Sequence, residues 1–414
     1  MLHPRTDSAL NIPSAQPATN TGRLAEGVRM TGPIIYLLGS YPRWSETFLR
    51  QDLAFLLRTG LPLHPVALFA GDAERQPEWP DVPRLSTDNG APRPGARAAG
   101  FWLPKRLRAH LSLWSHRRLR ASLGALVRQQ RAVHIHAEFA DLPGLLAAAV
   151  AADTGITYSL GVHARDVHQP TFSLPQLVSR ARFVTVCNTA ALRALLRACP
   201  AVADRAHLIP HGVDLRAWPF RGRAFTPHAE LRVFQAGRFV EKKGIDTLLR
   251  AVALLQREGV TVNLSMAGGG PLEGRLRCLA RTLAVEDAVS WLGVLTPDQV
   301  RLAFDLVDCL VVPSRISRAG DRDGVPNIVL EAMAAGVPVV GTAAGSLPDV
   351  LTSRTGWLFP ADQTAALAAA LQALAHNPQV TEERRQAARA LVEQRYDAGR
   401  LAEQRAALFQ ELGG

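Results

Sequence analysis

A chain of 414 residues, 47% apolar and 20% charged, is long enough to bury two substantial cores, which excludes a disordered or fibrous protein. Its four cysteines, Cys187, Cys199, Cys278 and Cys309, are scattered without a Cys-x-x-Cys pair or a neighbouring His set, which excludes a disulfide scaffold and predicts no metal site. The net charge of +11 calls for an anionic partner, yet no recognition-helix motif, zinc site or aromatic platform points to nucleic acid, and no apolar run reaches the ~18 residues of a spanning helix.

Residues 1–32 are rich in Ser, Thr, Pro, Ala and Asn and have no apolar run behind a basic start. They predict a disordered extension rather than a signal peptide, with Met30 as a second candidate start. A first strand is predicted at 34–38, and Gly39 to Leu49 should form the loop leading from it into a helix. Residues 71–100, rich in Pro, Gly and Arg, read as a surface loop. From 105 to 120, cations between Lys105 and Arg120 surround Leu107, Leu111, Trp114 and Leu119 at helical spacing, which predicts one basic amphipathic helix. It either docks on anionic lipid headgroups or packs those apolar residues on its own domain. Further strands are predicted at 133–136, 183–187 and 207–209, then a linker at 213–226. Strands follow at 232–235, 262–267, 289–292, 309–312 and 338–341, with Ala/Leu-rich helical segments between them and final helices at 381–391 and 398–412. Such alternation predicts an α/β protein with a parallel sheet in each half.

Two segments of the second half read as a ligand site. In 231–249 a strand ends at Gly237-Arg238, and a basic loop, Glu241-Lys242-Lys243-Gly244, opens a helix. The chain has three lysines among 47 basic residues and two of them stand here, so a compact ammonium is wanted at this point. Arg238 offers a planar fork and Lys243 a point charge for a diphosphate. In 323–340, Asp323 and a turn at Gly324 precede a short helix bounded by Pro326 and Gly336, which carries Glu331 and leads into an apolar strand. Backbone N–H groups near Asn327 and Ile328 should stand unpaired as an anion site, with Asp323 and Glu331 facing one ligand from either side. Gly268-Gly269-Gly270 lacks the Gly-x-Gly-x-x-Gly spacing, because Glu273 stands in the last place, and reads as a tight turn close to a nucleotide.

These segments resemble the retaining nucleotide-sugar glycosyltransferases of family 4. Asp323-x7-Glu331 and Gly336-Val337-Pro338-Val339 are similar to that family's E-x7-E and Gly-x-Pro-Val donor motif, with Asp in the first place and an arm one methylene shorter. Gly237-Arg238 and Lys243-Gly244 resemble its diphosphate-binding elements. In the first half, Tyr41 to Phe48 resembles the Tyr-Pro-x-x-Ser-Glu-Thr-Phe segment of the bacterial exopolysaccharide branch, the colanic-acid type. His163-Ala164-Arg165-Asp166 resembles its His-Ala-Lys-Asp, and Ile209 to Asp214 the segment that closes the first domain. His136-Ala137-Glu138-Phe139 departs from the branch's His-Ala-His-Phe. The resemblance covers roughly residues 33 to 400.

It implies an α/β chain of GT-B architecture: two facing Rossmann-like domains, an interdomain cleft and a C-terminal helix crossing back to the first domain. Residues 1–32 would be the extension, 33–215 the acceptor domain, 216–385 the nucleotide-sugar donor domain and 386–414 C-terminal helices packing back toward the first. The implied activity is transfer of a sugar, with retention, to a hydroxyl of a glycan or polyprenyl-diphosphate-linked acceptor in exopolysaccharide synthesis. No metal or other cofactor is implied, and the place is the cytoplasm, at the inner face of the plasma membrane. His163 and Asp323 would be catalytic. Gly39, Arg238, Lys243, Gly268, Asp323, Gly324, Asn327 and Glu331 would bind the donor, and Glu46, His136, Glu138 and Asp166 would lie on the acceptor side. The alternatives are a catalytically weak nucleotide-sugar-binding protein and a GT-B epimerase. A phosphorylase is excluded, because no Lys follows position 243 to carry a pyridoxal group.

Overall fold

The computed structural model describes residues 32–44, 46–73, 79–85, 104–220, 222, 225 and 230–412; the expectations for residues 1–31, including Met30, and for most of 71–100 lie outside them. The described residues contain twelve strands. In the first half these are β1 (Ile34–Tyr41), β2 (Leu63–Ala70), β3 (His134–Glu138), β4 (Thr157–Val162), β5 (Val184–Val186) and β6 (Ala206–Leu208). In the second they are β7 (Leu231–Ala236), β8 (Val262–Ala267), β9 (Val289–Gly293), β10 (Cys309–Val312), β11 (Val339–Thr342) and β12 (Trp357–Phe359). They form two parallel sheets, ordered β2-β1-β3-β4-β5-β6 and β12-β11-β10-β7-β8-β9. In each sheet the winding reverses beside the first strand, between β1 and β3 and between β7 and β10. The crevice at the carboxyl ends there is where doubly wound sheets take their ligands.

Apart from β3 and β4, which bury His134, His136, Glu138 and Ser159, the strands are largely apolar because helices cover both faces. One face of the first sheet packs on helices Arg117–Gln130 and Leu142–Thr154 through Leu123, Val127, Leu146 and Val150. The other face, with Ile34, Tyr36 and Leu38, takes helix Thr47–Arg58 and the last helix, Ala398–Gln410, through Leu401, Leu408 and Phe409. Covering that face is what brings the chain end back from the second half. Arg405 of the last helix adds a buried ion pair, 3.1 Å from Asp52. Val213, at the exit from the first sheet, donates its N–H to the Tyr396 carbonyl at 2.8 Å and accepts from the Ala398 N–H at 3.1 Å.

Several local expectations change. β1 runs on to Tyr41, so Gly39 lies within a strand and the loop begins at Pro42. The 105–120 segment forms two helices, Lys105–Ser115 and Arg117–Gln130, meeting at His116. Leu119 is buried, whereas Trp114 is 70%, Leu111 48% and Leu107 45% exposed, so the first helix packs Ala109 and Leu113 on the core and leaves these three side chains uncovered. β2, β4 and β12 were not expected. β2 carries Pro65, which an edge strand tolerates, and β4 carries Tyr158, Ser159 and Gly161 where a buried strand is usually aliphatic. Position 386 falls inside helix Pro378–Arg395, which packs against helix Asn327–Ala335 of the second half; helix Ala398–Gln410 is the one that packs on the first.

Candidate active site

The second sheet presents its switch-point loops first. Gly237 follows β7 and Gly268 follows β8, with φ of 148° and 131°. A Cβ on Gly268 would stand 2.0 Å from the Gly237 carbonyl oxygen, so the two loops stack only because the position is glycine. Arg238 projects from the first of them and is exposed. A short 3-10 turn, Glu241–Lys243, then leads into helix Ile245–Arg257.

Lys243 Nζ reaches Asp323 Oδ2 at 2.7 Å, Lys242 Nζ lies 3.4 Å from Oδ1, and the Ser314 hydroxyl, just past β10, donates to Oδ2 at 2.9 Å. Burial pushes the Asp323 carboxyl up, and Lys243 and Lys242 outweigh it and hold the group below its usual range. Two residues expected on different parts of a ligand are thus bonded to each other. Helix Asn327–Ala335 begins after Pro326 and stops at Gly336, whose φ is 75°. Asn327 Nδ2 donates to Thr47 Oγ1 at 3.3 Å, which joins this helix start to the start of helix Thr47–Arg58 across the cleft. Gly324 also lies at the domain contact, where an added Cβ would stand 3.1 Å from Asn188 Nδ2. Asn188 Oδ1 accepts from Ser346 Oγ at 2.9 Å. Glu331, on the same helix, has its carboxyl pushed up to about 7 by burial, against the opposing pull of Arg50 and Arg301.

On the first sheet, the period-2 alternation of β3 puts His134, His136 and Glu138 on one face, the face that the last helix covers. His136 is 0% exposed. Its Nδ1 lies 2.8 Å from Ser159 Oγ, and its ring sits between Phe183 and Phe409. Burial lowers its pKa to about 4. The expected acceptor contact of His136 is therefore corrected: this ring is core. Glu138, 2% exposed, is corrected in the same way, because its carboxylate is turned inward. It accepts from Tyr36 Oη at 2.8 Å and lies 3.4 Å from His163 Nε2. A Cβ on Gly161, its partner in β4, would stand 1.7 Å from Glu138 Oε2, so that position must be glycine for the carboxylate to lie there.

From Glu138 a buried chain of groups runs to the last helix. His163 Nδ1 lies 3.4 Å from His211 Nε2, His211 Nδ1 lies 2.8 Å from Asp52 Oδ2, and Asp52 meets Arg405. Burial opposes the charge of both histidines; for His163 the Cys187 and Glu138 side chains outweigh it, and for His211 mainly Asp52 does, so both pKa values rise. Burial likewise pushes the Cys187 thiol up, and the two histidines outweigh it and bring it to about 5. Both ring nitrogens of His163 are thus engaged within its own domain. Its backbone N–H is capped by Asp166 Oδ2 at 2.9 Å, which makes Asp166 a support for the turn that carries His163. Phe139, with a left-handed φ of 78°, stacks on the His163 ring at 4.1 Å. Glu46 sits just before helix Thr47–Arg58, 3.1 Å from Arg43, with its carboxyl raised chiefly by burial. Gly39 would bring an added Cβ no closer than 3.6 Å, to the Pro143 ring, so space does not demand glycine there.

The cluster of His163, Cys187 and His211 escaped the sequence reading. Their ligating atoms all lie within 4.8 Å of one another. The signal was present: each stands just past the carboxyl end of β4, β5 or β6, three adjacent strands.

Two family models match the chain. Glycosyltransferase Family 4 matches residues 34–217 and Glycosyl transferases group 1 matches residues 219–391. The putative colanic acid biosynthesis glycosyltransferase WcaL of Escherichia coli is 34% identical over 163 residues, 39% of this chain and 40% of that protein. The amylovoran biosynthesis glycosyltransferase AmsK of Erwinia amylovora is 29% identical over 174 residues, 42% of each. These alignments thus span about two fifths of the curated relatives' length. Among solved structures, sucrose-phosphate synthase from Thermosynechococcus elongatus superposes with a TM-score of 0.71 at 20% identity, covering 92% of this chain and 99% of that one. Anabaena HepE in complex with UDP also gives 0.71, at 18% identity, covering 92% and 100%. At such identities the likeness is one of fold, two facing α/β domains of the GT-B kind.

Proposed function

Because this chain belongs to the family 4 and group 1 glycosyltransferases, with one model over each of its two sheets, we propose that it transfers a sugar from a nucleotide-sugar to a hydroxyl of a glycan or lipid-linked oligosaccharide in exopolysaccharide synthesis. The observation that carries this reading is the cation set at the second switch point. Lys243 and Lys242 hold Asp323 in the segment that leads into helix Asn327–Ala335, and the Lys243 side chain lies against Gly237, the neighbour in sequence of exposed Arg238. Such a set neutralises a diphosphate with side chains and backbone N–H groups, so the donor site needs no metal for that task.

On this reading Arg238 and Lys243 bind the diphosphate, Glu331 accepts from the ribose hydroxyls, and Asp323 with the turn at Gly324 fixes the donor sugar. Gly268 keeps its loop close to the nucleotide. The acceptor oxygen attacks the anomeric carbon on the face from which the diphosphate departs. The bond to the phosphate oxygen breaks with its electron pair going to that oxygen, which takes the acceptor's proton, so configuration is retained. The protein's part is to position and neutralise. With both ring nitrogens of His163 held inside the first domain, that residue contributes through the placement of its turn, and Asp166 supports it. Glu46 lies on the acceptor side, at the first-domain lip of the cleft.

The uncovered side of helix Lys105–Ser115 fits an anionic lipid surface, the place of a polyprenyl-linked acceptor. Trp114, Leu111 and Leu107 are exposed among Lys105, Arg106, Arg117 and Arg118. The deciding experiment is calorimetric titration with UDP, GDP, ADP and their common sugars, with Glu331→Ala as control. Micromolar binding of one nucleotide, lost in the variant, supports the donor reading; no binding of any refutes it. Binding without transfer to any acceptor turns the reading to a silent nucleotide-sugar-binding protein.

A further inference from the structure

We propose that His163, His211 and Cys187 form a binding site for one divalent transition-metal ion of the zinc class, at the carboxyl ends of β4, β5 and β6. The site is separate from the donor pocket and does not depend on the transfer reaction.

Three observations converge on it. The first is the spacing. His211 Nε2 and His163 Nδ1 are 3.4 Å apart, and the Cys187 sulfur lies within 4.8 Å of both. Two nitrogens bound to one tetrahedral zinc at about 2.0–2.1 Å stand about 3.3–3.4 Å apart, so the imidazoles already occupy an edge of the tetrahedron. A tetrahedral site sets sulfur about 3.5–3.6 Å from each nitrogen, so Cys187 closes by up to about 1.2 Å to complete a face.

The second is the orientation of the rings. Metal-ligating imidazoles turn their remote nitrogen to a carboxylate or carbonyl, which fixes the ring and raises its basicity. Here His211 has Asp52 Oδ2 at 2.8 Å on its remote Nδ1, and His163 has Glu138 Oε2 at 3.4 Å on its remote Nε2. With their remote nitrogens so held, the two rings lie within 12° of parallel and turn their other nitrogens toward each other at 3.4 Å.

The third is space. A cavity of about 10 Å³ is lined by the three ligands together with Glu138 and Arg405, close to the volume that one water or ion fills.

One thiolate with two imidazoles favours zinc or cobalt over magnesium or manganese, which prefer oxygen. Binding releases the thiol proton and any imidazolium proton to solvent. The ion would clamp the loops that follow β4, β5 and β6.

The test uses the whole chain, stripped of metal and titrated with Co²⁺ by absorption and with Zn²⁺ by calorimetry, in the absence of any nucleotide. One equivalent of cobalt should give a thiolate-to-cobalt band with intense tetrahedral d–d absorption. Cys187→Ser should abolish the thiolate band, Cys278→Ser, at an exposed cysteine, should keep it, and His211→Ala should alter the d–d spectrum. Asp52→Asn should weaken zinc binding about 10-fold or more. The absence of a band in the unaltered chain overturns the proposal, and so does a band that survives Cys187→Ser or vanishes in Cys278→Ser. Nucleotide titration with the Glu331→Ala control reads the donor site separately, so failure of one reading leaves the other standing.

Discussion

Lys243 and Asp323 form an ion pair of 2.7 Å whose side chains are both largely buried, so each is the other's main support where the β7 and β10 loops meet. Lys243→Ala should therefore act twice. Donor affinity should fall, and the fold should lose about 2 kcal/mol, below the ~3–5 kcal/mol of a buried pair broken outright, because Lys242 still stands 3.4 Å from the carboxylate. Denaturant melts with calorimetric binding check both parts. A Lys243→Ala protein of unchanged stability and affinity would show the pair to be idle.

Glu331 supplies a pH dependence of known sign. Its folded carboxyl titrates at about 7 against an ordinary 4.5, so between those values the folded state keeps a proton that the unfolded chain releases. Stability should fall as pH rises through that window, and Glu331→Gln should flatten the slope. Donor hydroxyls pair best with the ionised form. Nucleotide-sugar affinity should accordingly weaken as pH drops below 7, by up to about tenfold per unit, and the Gln variant should lose that dependence.

Gly161 and Glu138 should be coupled. A methyl group at 161 meets Glu138 Oε2, so Gly161→Ala should lower stability by about 1–3 kcal/mol through overpacking. Glu138→Ala removes the obstacle at the expense of its own bonds to Tyr36 and His163. The double variant should then be more stable than the sum of the two losses, and a thermal double-mutant cycle reads the coupling. Simple additivity would mean that the strand moves aside.

Trp114 and Leu111 should matter to membranes and not to folding. Both are exposed, so Leu111→Ala with Trp114→Ala should change stability by no more than about 0.5 kcal/mol. Sedimentation with anionic vesicles should drop several-fold, and neutral vesicles should bind neither form. Equal sedimentation of the double variant with anionic vesicles would remove this helix from any lipid contact.

Much of the molecule was legible from local pattern. The alternation of short apolar runs with Ala/Leu-rich segments foretold two parallel sheets, because burial on both faces forces strands to be apolar throughout. Gly336 marked the helix stop. These are signals that neighbours in sequence carry by themselves.

What eluded that reading depended on which segments meet. His136 matched a binding motif by its letters, yet strand parity and the returning helix enclose it against Phe409. Lys243 and Asp323, eighty positions apart, looked like separate ligand contacts until the β7 and β10 loops brought them together. Cys187 looked like an ordinary core thiol until three adjacent strands set it beside His163 and His211. Periodicity and propensity reside in a few consecutive residues, so the sequence by itself determined most of the elements and the parallel α/β class of each half. Ion pairs, ring stacks and ligand sets require groups from distant positions within a few ångströms. Strand order and the crossing of the last helix decide that, and only the tertiary structure carries them.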